Sequence, residues 1–114
     1  MTIVSRTTAE RYTWGVACEG WRHLDCRDLT VIEERIPPGA GEVRHLHRNA
    51  RQLFFVLNGA LTIEKADATF VLNAGDSLEM EPGVPHQVLN TSKADVYFLV
   101  VSAPSTRDDR TNLT

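Results

Sequence analysis

Residues 39–59 read GAGEVRHLHRNARQLFFVLNG and contain two histidines, His45 and His47, that are separated by one residue. In a β-strand, side chains two positions apart point to the same face, and the rise is about 3.3 Å per residue. The Cβ atoms of the two histidines are therefore expected about 6.5–7 Å apart on one face. From that separation, two imidazoles can converge on one ion with bonds of about 2.0–2.1 Å. The stretch thus predicts a strand that presents two metal ligands.

A third histidine, His86, follows in the stretch PGVPHQVLN, which covers residues 82–90. Histidine is the commonest side-chain metal ligand, and buried imidazoles without partners would be costly. We therefore predict that His45, His47 and His86 hold one divalent ion. The alternative is a set of core histidines without a metal. The chain's remaining histidine, His23, lies outside this pattern and is expected to be a surface or partly buried residue.

Short apolar runs separated by turn residues indicate an all-β protein, and 114 residues have room for one domain with one core. The dipeptide Asn58-Gly59 predicts a tight hairpin between two strands. The segment 7–14 is consistent with one helical turn or with a strand. The predicted strands cover residues 29–36, 43–47, 52–57, 60–65, 68–72, 77–80, 86–90 and 95–102.

The spacing of glycines and histidines resembles the two sequence motifs of small single-domain cupins. The first motif places Gly39, His45, His47, Gln52 and Gly59 at the family's intervals, and the second places Gly75, Glu81, Gly83, His86 and Asn90. The resemblance implies an antiparallel β-barrel of jelly-roll type over residues 29–103. Residues 1–28 are then an N-terminal segment that packs on the barrel or at a dimer interface. Residues 104–114 are a polar tail, expected to be loosely ordered.

Two positions depart from the family pattern. Glu81 stands where the second motif usually has proline, and little effect is expected from this. Gln52 stands where the usual ligand is glutamate, although some metal-binding cupins are similar in using glutamine. The resemblance implies that Gln52 is the fourth ligand; otherwise it hydrogen-bonds a bound water. A neutral amide leaves the ion its full charge and cannot act as a general base. This ligand set suits zinc, iron, nickel, cobalt, copper or manganese.

Small cupins include dioxygenases, isomerases and polyketide cyclases of the tetracenomycin type. The resemblance therefore implies a metal-dependent enzyme that acts on a small organic molecule. No residue is assigned as catalytic, although Glu33, Glu34 and Tyr97 could supply an acid or a base. The alternative function is a non-catalytic module that binds or senses a small molecule, and a weaker one is a structural partner protein.

Charge and composition restrict the partners. The formal net charge is −3, which does not favour nucleic acid or an anionic membrane. No apolar run is long enough to span a bilayer, and no secretory signal is recognisable. Cys18 and Cys26 lack metal or redox spacing, so we expect reduced thiols and a cytoplasmic protein. Arg44, Arg48 and Arg51 form either a solvated rim or the mouth of a site for an anionic ligand.

The predicted strand 52–57 is apolar on both faces. Its outward side chains are expected to be Leu53, Phe55 and Leu57. A sheet that faces water usually keeps that face polar, so something must cover these residues. The segment that carries Trp14 and Trp21 could do so, and so could a second copy of the chain; we predict a homodimer.

Overall fold

The computed structural model describes residues 1–113, which form eleven β-strands and no α-helix. The strands are β1 (Glu10–Trp14), β2 (Cys18–Asp25), β3 (Thr30–Ile36), β4 (His45–His47), β5 (Arg51–Asn58), β6 (Ala60–Lys65), β7 (Thr69–Asn73), β8 (Ser77–Met80), β9 (His86–Leu89), β10 (Val96–Ala103) and β11 (Arg110–Asn112). Among these residues, no helix offers the long apolar segment that a bilayer span requires.

The strands lie in two antiparallel sheets. One sheet has the order β1-β2-β3-β10-β5-β8, and the other has the order β11-β4-β9-β6-β7. The all-β, antiparallel jelly-roll prediction is confirmed. The two sheets stay separate in the hydrogen bonding of residues 1–113 and do not close into a continuous barrel. The candidate metal ligands His45, His47 and His86 lie on β4 and β9, which are neighbours in the second sheet.

The core fills the space between the sheets. In β5, Gln52, Phe54 and Val56 are buried while their neighbours are exposed, and β10 buries alternate residues in the same way. This is the period of two that a strand requires when one face packs on a core. Phe54 and Phe98 contact each other across the pair, with ring centroids 6.3 Å apart.

The predicted hairpin at Asn58-Gly59 is wrong. β5 pairs with β8 and β10, whereas β6 pairs with β7 and β9, so the chain crosses from one sheet to the other at this point. Gly59 has φ of 89°, which favours glycine, and a Cβ there would lie 2.5 Å from the carbonyl oxygen of Asp95. The dipeptide therefore serves a tight turn between sheets.

The two chain ends compare differently with the sequence-based expectation. For segment 7–14, the strand alternative holds over Glu10–Trp14, which forms an edge strand paired with β2. The tail was expected to be loosely ordered, but Arg110–Asn112 forms β11 and pairs with His45–His47. Backbone pairing holds this polar strand although all three of its residues are exposed.

The outer face of the first sheet is only partly covered. Trp21 stacks on Tyr97, and the guanidinium of Arg6 lies 4.7 Å from the Tyr97 ring centroid. Trp14 instead packs against the core. Of the two covers that the sequence allowed, the segment that carries the tryptophans leaves the outward β5 residues partly exposed. Those residues, Leu53, Phe55 and Leu57, are 39%, 37% and 43% exposed.

Candidate metal centre

The structure brings together the three histidines that the sequence spacing predicts. His45 and His47 lie on β4, and His86 begins β9, where it is the register partner of His45. One nitrogen from each ring lies within 4.8 Å of the other two. All three side chains are buried. This cluster is compatible with a single bound metal ion.

Two backbone carbonyls fix the orientation of two of the rings. His45 Nδ1 donates to the Val43 oxygen at 2.8 Å, and His86 Nδ1 donates to the Val84 oxygen at 2.9 Å. A carbonyl oxygen can only accept, so each Nδ1 carries the proton and each Nε2 keeps its lone pair. Such hydrogen bonds commonly orient metal-binding imidazoles.

Three buried atoms in or beside the cluster have no hydrogen-bond partner within the described part of the chain: His47 Nδ1, His86 Nε2 and Gln52 Oε1. The amide nitrogen of Gln52 donates to Ser102 Oγ at 3.2 Å, which leaves the amide oxygen free. Buried polar atoms without partners cost free energy. Imidazole nitrogens and an amide oxygen are suitable ligands for a divalent cation, which could take up unpartnered lone pairs at this site.

The local electrostatics keep the histidines neutral. Burial, opposed in part by the Val43 carbonyl, lowers the pKa of His45 to about 3. Burial and the neighbouring His86 lower the pKa of His47 to about 4. The pKa of His86 is lowered as well, again chiefly by burial. At neutral pH a cation would therefore not have to displace protons from these rings.

A cavity of about 250 Å³ opens beside His45, His47 and Gln52. Its walls are mixed. Apolar side chains from the first sheet face ionisable groups from both sheets, and the principal ones are Ile32, Phe54, Val100, Glu34, Glu42 and Arg110. Small-molecule pockets are typically lined mainly by apolar side chains; this cavity is more polar than that, and its volume fits a compact ligand.

Of the three acid–base candidates predicted from the sequence, only Glu34 lines the cavity. Tyr12 Oη donates to Glu34 Oε2 at 2.9 Å, reaching across β2 where an added Cβ at Gly20 would overlap the tyrosine ring. Burial raises the pKa of Glu34 to about 7. Glu33 instead forms an ion pair with Arg6 on the outer face of the first sheet.

Sequence reasoning missed Glu42. Its carboxylate lines the cavity, and Oε1 lies 3.7 Å from His45 Nε2. Burial, together with the charge of Glu34, raises the pKa of Glu42 to about 8. The one sequence signal for Glu42 at the site was its position three residues before His45. The strand pattern does not indicate that the side chain of a residue before β4 points into the cavity.

The arginines near the cavity are also not those expected. Arg44, Arg48 and Arg51 do not line it, and Arg51 forms an exposed ion pair with Glu79. Arg110, from the strand that the sequence did not predict, lies at the cavity instead. His23 contacts Glu33 at 3.0 Å, away from the cluster, as expected.

The fold and the histidine cluster define a double-sheet jelly roll with a metal-compatible centre. Residues 32–102 match the Cupin domain family, and the chain belongs to this family. The family assignment from the two sequence motifs is thereby confirmed.

Individual relatives share only limited sequence identity with this chain. The beta-alanine degradation protein BauB of Pseudomonas aeruginosa is 32% identical over 78 residues, which cover 67% of this chain and 82% of that protein. An uncharacterized protein of Methanocaldococcus jannaschii is 23% identical over 75 residues, covering 66% of this chain and only 60% of that protein. The structure of the polyketide cyclase RemF from Streptomyces resistomycificus matches this one with a TM-score of 0.86 and 19% sequence identity. The match covers all of this chain and 86% of the RemF chain. That likeness shows the fold.

Proposed function

We propose that this cupin binds one divalent metal ion through His45, His47, His86 and Gln52 and acts on a small organic molecule in the adjoining cavity. The observation that carries the proposal is the buried histidine cluster with three polar atoms beside it that lack hydrogen-bond partners, on His47, His86 and Gln52. In a cupin without a metal, those atoms would need other hydrogen-bond partners. The ion would be zinc, iron, nickel, cobalt, copper or manganese.

A bound ion would act as a Lewis acid on a substrate oxygen. The chain's own residues supply the remaining functions. Ile32, Phe54 and Val100 form an apolar wall that excludes water from one side of the substrate. Glu34 with Tyr12 forms a hydrogen-bonded pair in the same cavity, where it can exchange a proton with the substrate.

Turnover by the metal-loaded protein tests the enzymatic proposal. The protein is screened by thermal shift against dicarboxylates, sugars and aromatic polyketide-like compounds, and each stabilising compound is incubated and analysed by mass spectrometry. We expect a new product with the native chain and none with His86→Ala. A compound that raises the melting temperature but is recovered unchanged would favour the binding or sensing alternative.

We also propose a cytoplasmic location and no nucleic-acid partner. Both cysteines are free, with Cys18 buried and Cys26 exposed, which is typical of a reducing compartment. The net charge of −3 does not favour polyanions. Fractionation of the native cells, followed by immunodetection, tests the location.

A further inference from the structure

Glu42 is held firmly against the strand that carries His86. Its backbone N–H donates to the carbonyl oxygen of Val88 at 3.0 Å. The preceding residue is Gly41, where an added Cβ would lie 2.7 Å from the Cβ of Leu89 and 2.9 Å from the Val88 oxygen. Only glycine allows the chain to approach β9 this closely. The position of the Glu42 backbone relative to the histidine cluster is therefore fixed by packing.

The carboxylate of Glu42 points to the cluster and is oriented at both oxygens. Oε1 lies 3.7 Å from His45 Nε2, and Oε2 lies 3.4 Å from Arg110 Nη1. The side chain is 14% exposed. Because β11 pairs with β4, the backbone of Arg110 is held beside the strand that carries His45 and His47. The guanidinium thus holds one oxygen and leaves the other facing the histidines.

The contact between Glu42 and His45 requires a proton or a cation. His45 Nδ1 donates to Val43, so Nε2 offers only a lone pair. An ionised carboxylate oxygen also only accepts. Two acceptors that face each other at this distance repel unless a proton or a cation lies between or beside them.

We propose that Glu42 supplies the negative charge of the metal centre, in place of the glutamate that the first cupin motif usually has at position 52. This inference rests on the proposed metal-binding function. Three neutral imidazoles and the Gln52 amide leave a divalent ion its full charge of +2 in a partly buried site. The carboxylate of Glu42 places a negative charge beside the ion through Oε1. Arg110 on Oε2 offsets it in part, and the remainder favours retention of the ion.

The alternative role for Glu42 is a purely structural ion pair that holds Arg110 and β11. The substitution Glu42→Gln separates the two roles. Glutamine has the same shape and can still accept a hydrogen bond from Arg110, but it carries no charge. A structural role predicts a lower melting temperature of the metal-free protein with unchanged metal affinity.

The test is a titration with Co²⁺, followed by its visible absorbance, of metal-free native protein and variants. Mutations of groups that support metal ligands typically weaken binding about 10- to 100-fold, and we expect a loss of that size in Glu42→Gln. Glu79→Gln, which changes an exposed glutamate, should leave the dissociation constant unchanged. The double variant Glu42→Gln/Gln52→Glu should recover binding to within a few-fold of native, because the charge returns from the other position.

Equal affinity in Glu42→Gln and Glu79→Gln would overturn the inference while leaving the metal site intact. Failure of the native chain to bind Co²⁺ would overturn the proposed function itself. If Glu42→Gln does not fold, Glu42→Asp is the substitute test. Aspartate keeps the negative charge, but its shorter side chain places the carboxylate farther from the histidines. We expect Glu42→Asp to bind Co²⁺ more weakly than native, and unchanged affinity would contradict the inference.

Discussion

Gln52 keeps its side-chain oxygen free because its amide nitrogen donates to Ser102, which lies on β10 in register with it. The sequence motif predicts the position of Gln52, since the spacing from His47 is fixed within the chain. It does not predict the orientation of the amide, which depends on a partner fifty residues away. The same limit applies to Glu42, whose orientation depends on Arg110.

At the residue scale, Glu34 makes stability depend on pH. Burial raises its pKa from about 4.5 to about 7 in the folded chain. Between these values the unfolded chain binds fewer protons than the folded one, so stability falls as pH rises. We expect native metal-free protein to lose about 1–3 kcal/mol relative to Glu34→Gln between about pH 4.5 and 8. Urea unfolding across this range measures the difference.

The matched control for Glu34 is Glu79→Gln, at an exposed site. Its unfolding free energy should stay within about 1 kcal/mol of the native value across the range, because an exposed ion pair contributes little. Parallel curves for native protein and Glu34→Gln would show that Glu34 has the same proton affinity in the folded and unfolded states, contrary to this account.

At the scale of elements, a sequence predicts strands well where one face is apolar and poorly where only the backbone pairs. Residues 60–65 and 77–80 were predicted with the bounds observed, and 29–36 differs by one residue. Cys18–Asp25 and Arg110–Asn112 were missed because charged and small residues interrupt their alternation. Asn58-Gly59 was misread because turn residues specify a local bend but not which strand comes next.

The C-terminal segment is also fastened by Asp109, which accepts hydrogen bonds from the backbone N–H groups of Asn49 and Ala50 at 2.9–3.1 Å. Burial alone would raise the pKa of Asp109, but these donors hold it below its usual value. We expect Asp109→Ala to lower the free energy of unfolding by about 1–2 kcal/mol at neutral pH.

Because the pKa of Asp109 is depressed, its stabilisation is present at neutral pH and is lost as pH falls through that pKa. The difference between native protein and Asp109→Ala, measured by urea unfolding, should therefore shrink in acid. Asp67→Ala, in an exposed turn, is the control and should match native protein. A difference that stays constant into acid would contradict the assigned contacts.

At the scale of the whole molecule, the apolar stripe of Leu53, Phe55 and Leu57 is only partly covered within residues 1–113. The predicted homodimer would bury it, and we expect the contact between copies to lie there. Phe55→Lys should then shift the protein from dimer to monomer in light scattering coupled to size exclusion. Val71→Lys, which changes a 61% exposed residue of the second sheet, should leave the mass unchanged. A dimer that survives Phe55→Lys would place the contact elsewhere.

The central claim is that the buried histidines hold a metal ion, and metal analysis of protein purified without a histidine tag tests it most directly. Native protein and His45→Ala are prepared in parallel and measured by mass spectrometry before and after reloading with divalent metals. We predict close to one ion per native chain and almost none in His45→Ala. A native chain that stays free of metal after reloading, or a variant that retains it fully, would contradict the claim.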